Sequence, residues 1–434
     1  MRHLYSILFY VLAPLLLVRL LWKSCRTPAY RMRISERFGL YHGQPVVAPG
    51  SIWIHAVSVG ECEAAFPIIN ALLERGDIPL LITSTTPTGS ARLQAVLGDA
   101  VQHVYLPYDL PGAVSRFIDY FRPRIGLIME TEIWPNLLQI CSSRQIPLAI
   151  INGRLSEKSA QGYAKLRSFV GQSLNAVTHV AAQTRLDADR YINIGARPDK
   201  ISVMGNIKFE VEFDNEAQEL ARTLRQELFP RRAVWIAGST HPGEEEQILD
   251  ALVEVKKSVP QLLLILAPRH PERSGDVRIL CEKRGLLTQK RSDGLFCRSE
   301  TSVFLIDGIG ELRKFYGAAD VAFVGGSLVP HGGQNILEAA VAGLPVVFGP
   351  YMMNFAEITR NLLDAGVGVQ VDSPAMLAEW VLRFLQEPQL AIGYGRKGRA
   401  FVTSNRGALG RVLSIVDDLL SKESSKIKQV PQNL

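Results

Sequence analysis

The sequence predicts an α/β protein of two parallel-sheet domains behind an apolar N-terminal helix. Three observations carry this. From Ser51 onward, short apolar runs alternate with amphipathic stretches, the rhythm of βαβ units around a mostly parallel sheet. The rhythm breaks once, at the acidic and polar stretch 210–218 (EVEFDNEAQ), and then resumes. The chain has 434 residues at 47% hydrophobic composition, enough for two cores when domains run to about 100–200 residues.

Residues 4–22 (LYSILFYVLAPLLLVRLLW) are nearly all apolar. That is about the length a helix needs to cross a bilayer. Lys23, Arg26, Arg31, Arg33 and Arg37 follow it. Cationic flanks stay cytoplasmic, so the body is expected there too. No small-residue cleavage site follows, which argues against a removed signal peptide. Pro14 and Arg19 lie inside the segment. Arg19 can snorkel, so a helix lying in the membrane surface remains an open alternative.

In the first series, strands are expected at 52–57, 80–84, 102–106, 125–129, 148–151 and 179–182, with helices at 61–74, 88–97, around Phe117, and at 134–141, 164–176 and 186–194. The second series places strands at 234–237, 262–267, 303–306, 321–324, 346–348 and 368–371, with a helix at 244–256. A long amphipathic stretch, 375–420, is interrupted near Pro388. The expected division is an anchor at 1–23, a first domain at 24–209, a second at 210–424 and a loose tail at 425–434.

The net charge of +6 suits an anionic partner, a phosphorylated substrate or a membrane surface. The charge is spread, with no basic run and no aromatic-basic interleaving, so no nucleic-acid partner is expected. The five cysteines form no C-x-x-C pair and read as reduced thiols. There is no G-x-x-x-x-G-K-[ST], no G-x-G-x-x-G after the first strand and no G-x-S-x-G. A P-loop ATPase, an NAD enzyme and a serine hydrolase are thereby disfavoured. No Asp-x-Asp stands at a strand end, so a metal-bridged diphosphate is not indicated.

Three groups of residues carry chemistry. In HAVSVGECE, Glu61 opens a helix, where free amides and the helix dipole favour its anion near neutral pH. That suits a general base; an ordinary capping carboxylate is the alternative. Glu63 reads as surface, and His55 as a core histidine or a ligand. In METEIWPN, Glu130 and Glu132 share one side of an extended run, where they can orient a substrate or raise a neighbour's pKa. Paired carboxylates also occur in glycosidases, but nothing indicates the protonated acid those need.

The third group gathers at strand ends of the linker and second half. Lys208 stands in GNIKF, and Ser239 and Thr240 in GSTHPGE form an anion nest. In PRHPER, Arg269 and His270 emerge at the rim, with Arg273 solvated. DGIGE follows the next strand. Gly325 and Gly326 turn the chain and leave amides uncovered; Gly332 and Gly333 precede a helix at 335–342 whose N-terminus can seat phosphate. Glu338 can accept sugar hydroxyls. Together these describe a phosphate and nucleotide pocket.

HAVSVGECEA, TSTTPTGSAR, HVYLPYDLP, METEIWPN, NGRLSEKSA, GYAKL, GSTHPGEE, LAPRHPER, GAADVAFVGGSLVPHGGQNILEAA and GPYMMNF, in this order, closely resemble the 3-deoxy-D-manno-octulosonic acid (Kdo) transferases of Gram-negative bacteria. The resemblance covers nearly the whole chain. It implies the GT-B fold, two Rossmann-like domains facing a cleft. It implies transfer of Kdo from CMP-Kdo to the lipid A precursor (lipid IVA) at the cytoplasmic side of the inner membrane, with inversion, without a metal and without a cofactor. Carried over, Glu61 is the general base, and Glu130 and Lys208 support the transition state. CMP contacts fall on Pro268 and Arg269, on Ile309, Gly310 and Glu311, and on Asn335, Ile336, Leu337 and Glu338, the last facing the ribose. Asn206 and Ile207 depart from the family's usual GS-LKF form and leave Lys208 in place. Two other readings stay open: a GT-B transferase using another nucleotide sugar, and a membrane-anchored nucleotide-binding module without turnover.

Overall fold

A computed structural model describes residues 1–41, 49–294, 296–308 and 310–427. The chain forms two compact units, Met1–Glu210 with Arg406–Leu434, and Val211–Asn405. The second unit therefore stops before 424, where the sequence expects its end. Helix Ala408–Ile427 instead buries Ala408, Val412, Val416 and Leu419 beside Ile68, Leu127 and Met129 of the first unit. Helical spacing announces a buried face, not the sheet it will cover. Arg75 fixes the same helix from its own, bonding Asp417 at 2.8 Å.

The first unit holds a seven-stranded parallel sheet. Its strands are β1 (Ile52–His55), β2 (Leu80–Ser84), β3 (Gln102–Tyr105), β4 (Ile125–Met129), β5 (Leu148–Gly153), β6 (His179–Ala182) and β7 (Ile201–Val203), in the order β3-β2-β1-β4-β5-β6-β7. β1 and β4 pair directly, Ile54 against Leu127 and His55 against Ile128. Here the strand order reverses, and the loops leaving both strands diverge at the carboxyl edge where α/β proteins bind ligands. The first leads into the helix turn that carries Glu61, and the second carries Glu130. Both sheet faces are covered, one by helix Val59–Arg75 and the C-terminal helix, the other by Phe117, Leu138 and Tyr191.

The second unit repeats the plan with β8 (Val234–Thr240), β9 (Leu263–Pro268), β10 (Thr288–Lys290), β11 (Val303–Leu305), β12 (Val321–Val324), β13 (Val346–Phe348) and β14 (Gly368–Gln370), in the order β10-β11-β9-β8-β12-β13-β14. β8 pairs β12 at the reversal, Val324 against Gly238. Trp235, Leu252, Leu264 and Phe323 sit in its core.

The differences from expectation are local. β7 and β10 are short edge strands whose partly exposed residues lack the apolar run that marks a central strand. The expected linker runs into a helix: Asn215–Leu228 starts inside it, capped by Asp214, which accepts the Ala217 amide at 2.8 Å. Two of the acids that read as a linker, Asp214 and Glu216, are a helix cap and first turn. All five cysteines are free thiols. Helix Arg2–Arg26 is long and apolar enough to cross a membrane. Of the expected tail, 428–434 lie outside the described residues.

Candidate active site

β1 ends at His55, and the chain turns through Val57 and Ser58 into helix Val59–Arg75. Glu61, in the first turn, is 8% exposed. One carboxylate oxygen accepts the Val57 amide at 2.9 Å and the other the Ser58 hydroxyl at 3.0 Å. These bonds favour the anion, as the sequence predicts. Burial opposes them and prevails: with added repulsion from Glu130 and Glu132, Glu61 is pushed up to about 7. The carboxylate whose anion the sequence favours is instead one that exchanges its proton near neutrality, since desolvation depends on neighbours that its own motif does not contain.

Glu130 leaves β4 with φ 55, so the run to Glu132 is not extended as expected. Its amide is held by the Ile151 carbonyl at 2.9 Å. Burial raises Glu130, while Lys208 and Arg154 pull it back. Glu132 is likewise raised by burial and accepts the Trp134 indole N–H. Trp134 precedes helix Pro135–Ser143, as predicted. Lys208 lies in the short turn Ile207–Phe209, and burial lowers its pKa against the attraction of Glu130.

Sequence reasoning missed the part that sets this turn. Asn152, buried with φ 54 at the end of β5, accepts the Ile207 amide at 3.2 Å. A non-glycine left-handed residue at a strand end is strained and so marks a special position, but φ is not visible in a sequence. His55 resolves as a core histidine: it is fully buried, bonds the Thr83 hydroxyl at 2.8 Å and is pushed down to about 4 by burial. Glu63 pairs with Arg92 at the surface.

In the second unit the glycine turn differs in kind from the expectation. Its amides are not uncovered. The fully buried Glu244 accepts the amides of Gly326 at 2.7 Å, Ser327 at 2.9 Å and Leu328 at 2.9 Å, and that of His241 at 3.2 Å. The Gly325 amide goes to the Gly238 carbonyl at 2.8 Å. Gly325 is glycine because a Cβ there would lie 2.5 Å from the Ser239 carbonyl oxygen. The motif is a knot that ties the β8 and β12 loops together. Glu244 stands in GSTHPGE just before a helix; a carboxylate at that place is the signal that could have found it.

The helix after the second glycine pair is also shorter than 335–342, spanning Leu337–Val341. Asn335, one residue before its N-cap, accepts the Leu337 amide at 3.1 Å and donates to Glu338 at 3.3 Å. Ile336 and Leu337 are fully buried, backbone included, so the expected ligand contacts there are not exposed in this structure. Glu338 and Asn335 are half-buried on the same turn.

Around β8 and β9 histidines and arginines gather. The His241 ring stacks on His331 with centroids 4.2 Å apart and stands 6.1 Å from that of His270. Burial, both neighbouring rings, Arg269 and Arg273 push His241 down to about 4. Such mutual repulsion is what an incoming anion relieves. Pro268 closes β9, and the exposed Arg269 is anchored by its amide to the Thr240 carbonyl at 2.9 Å. Arg273 is not solvated as expected: its guanidinium grips the buried Glu245 at 2.9 and 3.2 Å, and Thr240 bonds the same carboxylate at 3.1 Å. His241 and His331 were missed because they meet only when their loops converge. Gly310 adopts φ 80 and Glu311 caps helix Leu312–Tyr316, while Ile309 lies outside the described residues. Among the described residues no cluster of three His, Cys, Asp or Glu side chains is placed to hold a metal ion.

Residues 32–211 match the family described as 3-Deoxy-D-manno-octulosonic-acid transferase (kdotransferase). A 3-deoxy-D-manno-octulosonic acid transferase of Haemophilus influenzae is 39% identical, over 97% of this chain and 99% of that one. The chain belongs to the Kdo transferase family. A second member, from Bordetella pertussis, is 35% identical over 96% of this chain and 99% of its own. The Kdo transferases are glycosyltransferases, and the fold here is GT-B: a crystal structure of Acinetobacter baumannii MurG, 12% identical, superposes with a TM-score of 0.55 over 86% of this chain and all of the other.

Proposed function

We propose that this Kdo transferase moves Kdo from CMP-Kdo to the lipid A precursor (lipid IVA) at the cytoplasmic face of the inner membrane, inverting the anomeric centre and releasing CMP. The observation that carries the reading is the Glu61 carboxylate, buried beside Glu130 and Glu132 and balanced near neutral pH. Such a group takes a proton from an acceptor hydroxyl as that oxygen attacks. The new glycosidic bond forms at the anomeric carbon, the bond to the CMP phosphate breaks, and CMP leaves with the electron pair. No metal or cofactor enters these steps. Lys208 favours the Glu130 anion, and that carboxylate offsets the positive charge that develops on the sugar as the phosphate leaves.

In the second unit Arg269 supplies positive charge for the donor's phosphate and carboxylate, and the histidine rings offer N–H donors. Asn335 and Glu338 offer polar groups to the ribose, and Pro268, Gly310 and Glu311 offer backbone to the nucleotide, with the buried Ile336 and Leu337 fixing the turn that presents Asn335 and Glu338. The test is incubation with CMP-Kdo and tetraacylated lipid A precursor, with mass spectrometry of the lipid. A mass gain of whole Kdo residues with CMP release is expected; an unmodified lipid would sink the reading.

A further inference from the structure

The N-terminal helix Arg2–Arg26 has two different faces. Tyr5, Phe9, Leu12, Leu16, Leu20 and Lys23 recur at steps of three and four and face the first unit, half-buried or, at Leu20, buried. Leu4, Ile7, Val11, Leu15, Val18 and Trp22 recur at the same steps and are 60–67% exposed. The inner face is bonded to the body near its start. The Tyr5 hydroxyl donates to Asp109 at 3.0 Å, the Ser6 hydroxyl to Asn136 at 2.9 Å, and the Gly112 amide donates to the Tyr10 hydroxyl at 3.2 Å. The Tyr5 ring lies 5.7 Å from that of Phe169.

Just past the other end the chain is held again, Arg33 donating to the His103 carbonyl at 2.8 Å and Glu36 accepting the Tyr105 amide at 2.8 Å. A helix of this length is about 38 Å long. Were it to cross a hydrocarbon core of about 30 Å, Tyr5 would be separated from the body by the bilayer. Its bond to Asp109, a fully buried residue, excludes that arrangement for the structure described.

We infer that Arg2–Arg26 does not span the membrane but lies along one leaflet, clamped to the first unit on one side and inserting the Leu4–Trp22 stripe on the other. The occupant of that stripe is an anionic lipid surface. Arg2, Arg19, Lys23, Arg26, Arg31 and Arg33 are the charged residues of the chain before Glu36, and none is acidic. An amphipathic helix with a cationic complement seats about 5–10 Å below the headgroups. Asp109 also accepts the amides of Asn136 and Leu137 at 3.0 and 2.8 Å. The clamp therefore ends on the helix that follows Glu132, so the carboxylate loop is held at a fixed place relative to the lipid surface.

The inference is independent of donor and acceptor, and its test uses neither. In the full chain with Cys25→Ser and Cys297→Ser, single cysteines replace Leu4, Val11, Val18 and, on the inner face, Ala13. Each carries an environment-sensitive fluorophore. The proteins are bound to phosphatidylethanolamine–phosphatidylglycerol vesicles containing lipids with a quencher near the headgroup or near the chain end. Equal quenching at Leu4, Val11 and Val18, strongest with the shallow quencher, is expected, with little at Ala13. A depth maximum at Val11, with Leu4 reachable only from the vesicle interior, would overturn the inference in favour of a span. Absent quenching with self-association in sedimentation would assign the stripe to a second copy and overturn it too. Undiminished binding of the unlabelled chain to phosphatidylcholine vesicles would overturn the charge match.

Discussion

The Glu244 carboxylate accepts the Gly326 amide at 2.7 Å inside a fully buried site and thereby fastens the loop after β12 to the loop after β8. Burial raises its pKa, and the four amides oppose the shift. Removing an acceptor from buried amides costs on the order of 1–3 kcal/mol. Glu244→Ala is expected to lower the urea midpoint of the second unit and to weaken CMP binding. An unchanged midpoint would show that the knot is dispensable.

Glu61 sets the pH dependence. Its folded pKa, about 7, lies above its ordinary value of 4.5. Raised in this direction, it favours the folded state at pH below the ordinary carboxylate range, and that contribution is lost as pH rises through about 7. The base form appears in the same window, so kcat/KM is expected to climb through an apparent pKa near 7. Glu61→Gln is expected to cost about 10²–10⁴-fold in rate with CMP binding retained. A flat profile, or a rate unchanged in the variant, removes Glu61 from the base role.

Glu132 raises Glu61 through repulsion. Glu132→Gln keeps an acceptor for the Trp134 indole and deletes the charge. The acid limb of the pH profile is therefore expected to move to lower pH. A limb that stays in place would leave the elevation to burial and Glu130.

Arg269 is exposed on the cationic rim and makes no described side-chain bond of its own within this chain. A charge-assisted contact with phosphate is worth about 1.5–3 kcal/mol. Arg269→Ala is expected to raise the donor KM by about 10–100-fold with little change in melting temperature. A KM within error of the parent's would place the phosphate elsewhere.

Arg273 and Glu245 test the opposite case. Their pair has one fully buried member, and stranding such a charge costs about 3–5 kcal/mol. Arg273→Ala is expected to lower the melting temperature markedly, and Arg273→Ala with Glu245→Gln to recover part of the loss. Without recovery, the pair is not what stabilises the loop.

The apolar runs that became β1, β4, β8 and β12 were legible in the sequence because a parallel strand buried on both faces must be nearly all apolar. Glu130 and Arg269 stand directly after such runs, and Glu61 in the first turn of the helix that follows one. What the sequence left undecided depended on loops meeting in space. Glu61 reads alone as a stabilised anion; the burial and the two carboxylates that reverse this come from β1 lying beside β4. The Gly325–Gly326 turn reads alone as open amides; Glu244, from another loop, takes them. The stripe at Ala408–Leu419 reads as a buried face, and only tertiary packing chose which sheet it covers. Local sequence determines period, caps and the polarity of each face. Which faces and charges meet is decided by chain topology, because desolvation and Coulomb energy depend on distance in space and not along the chain.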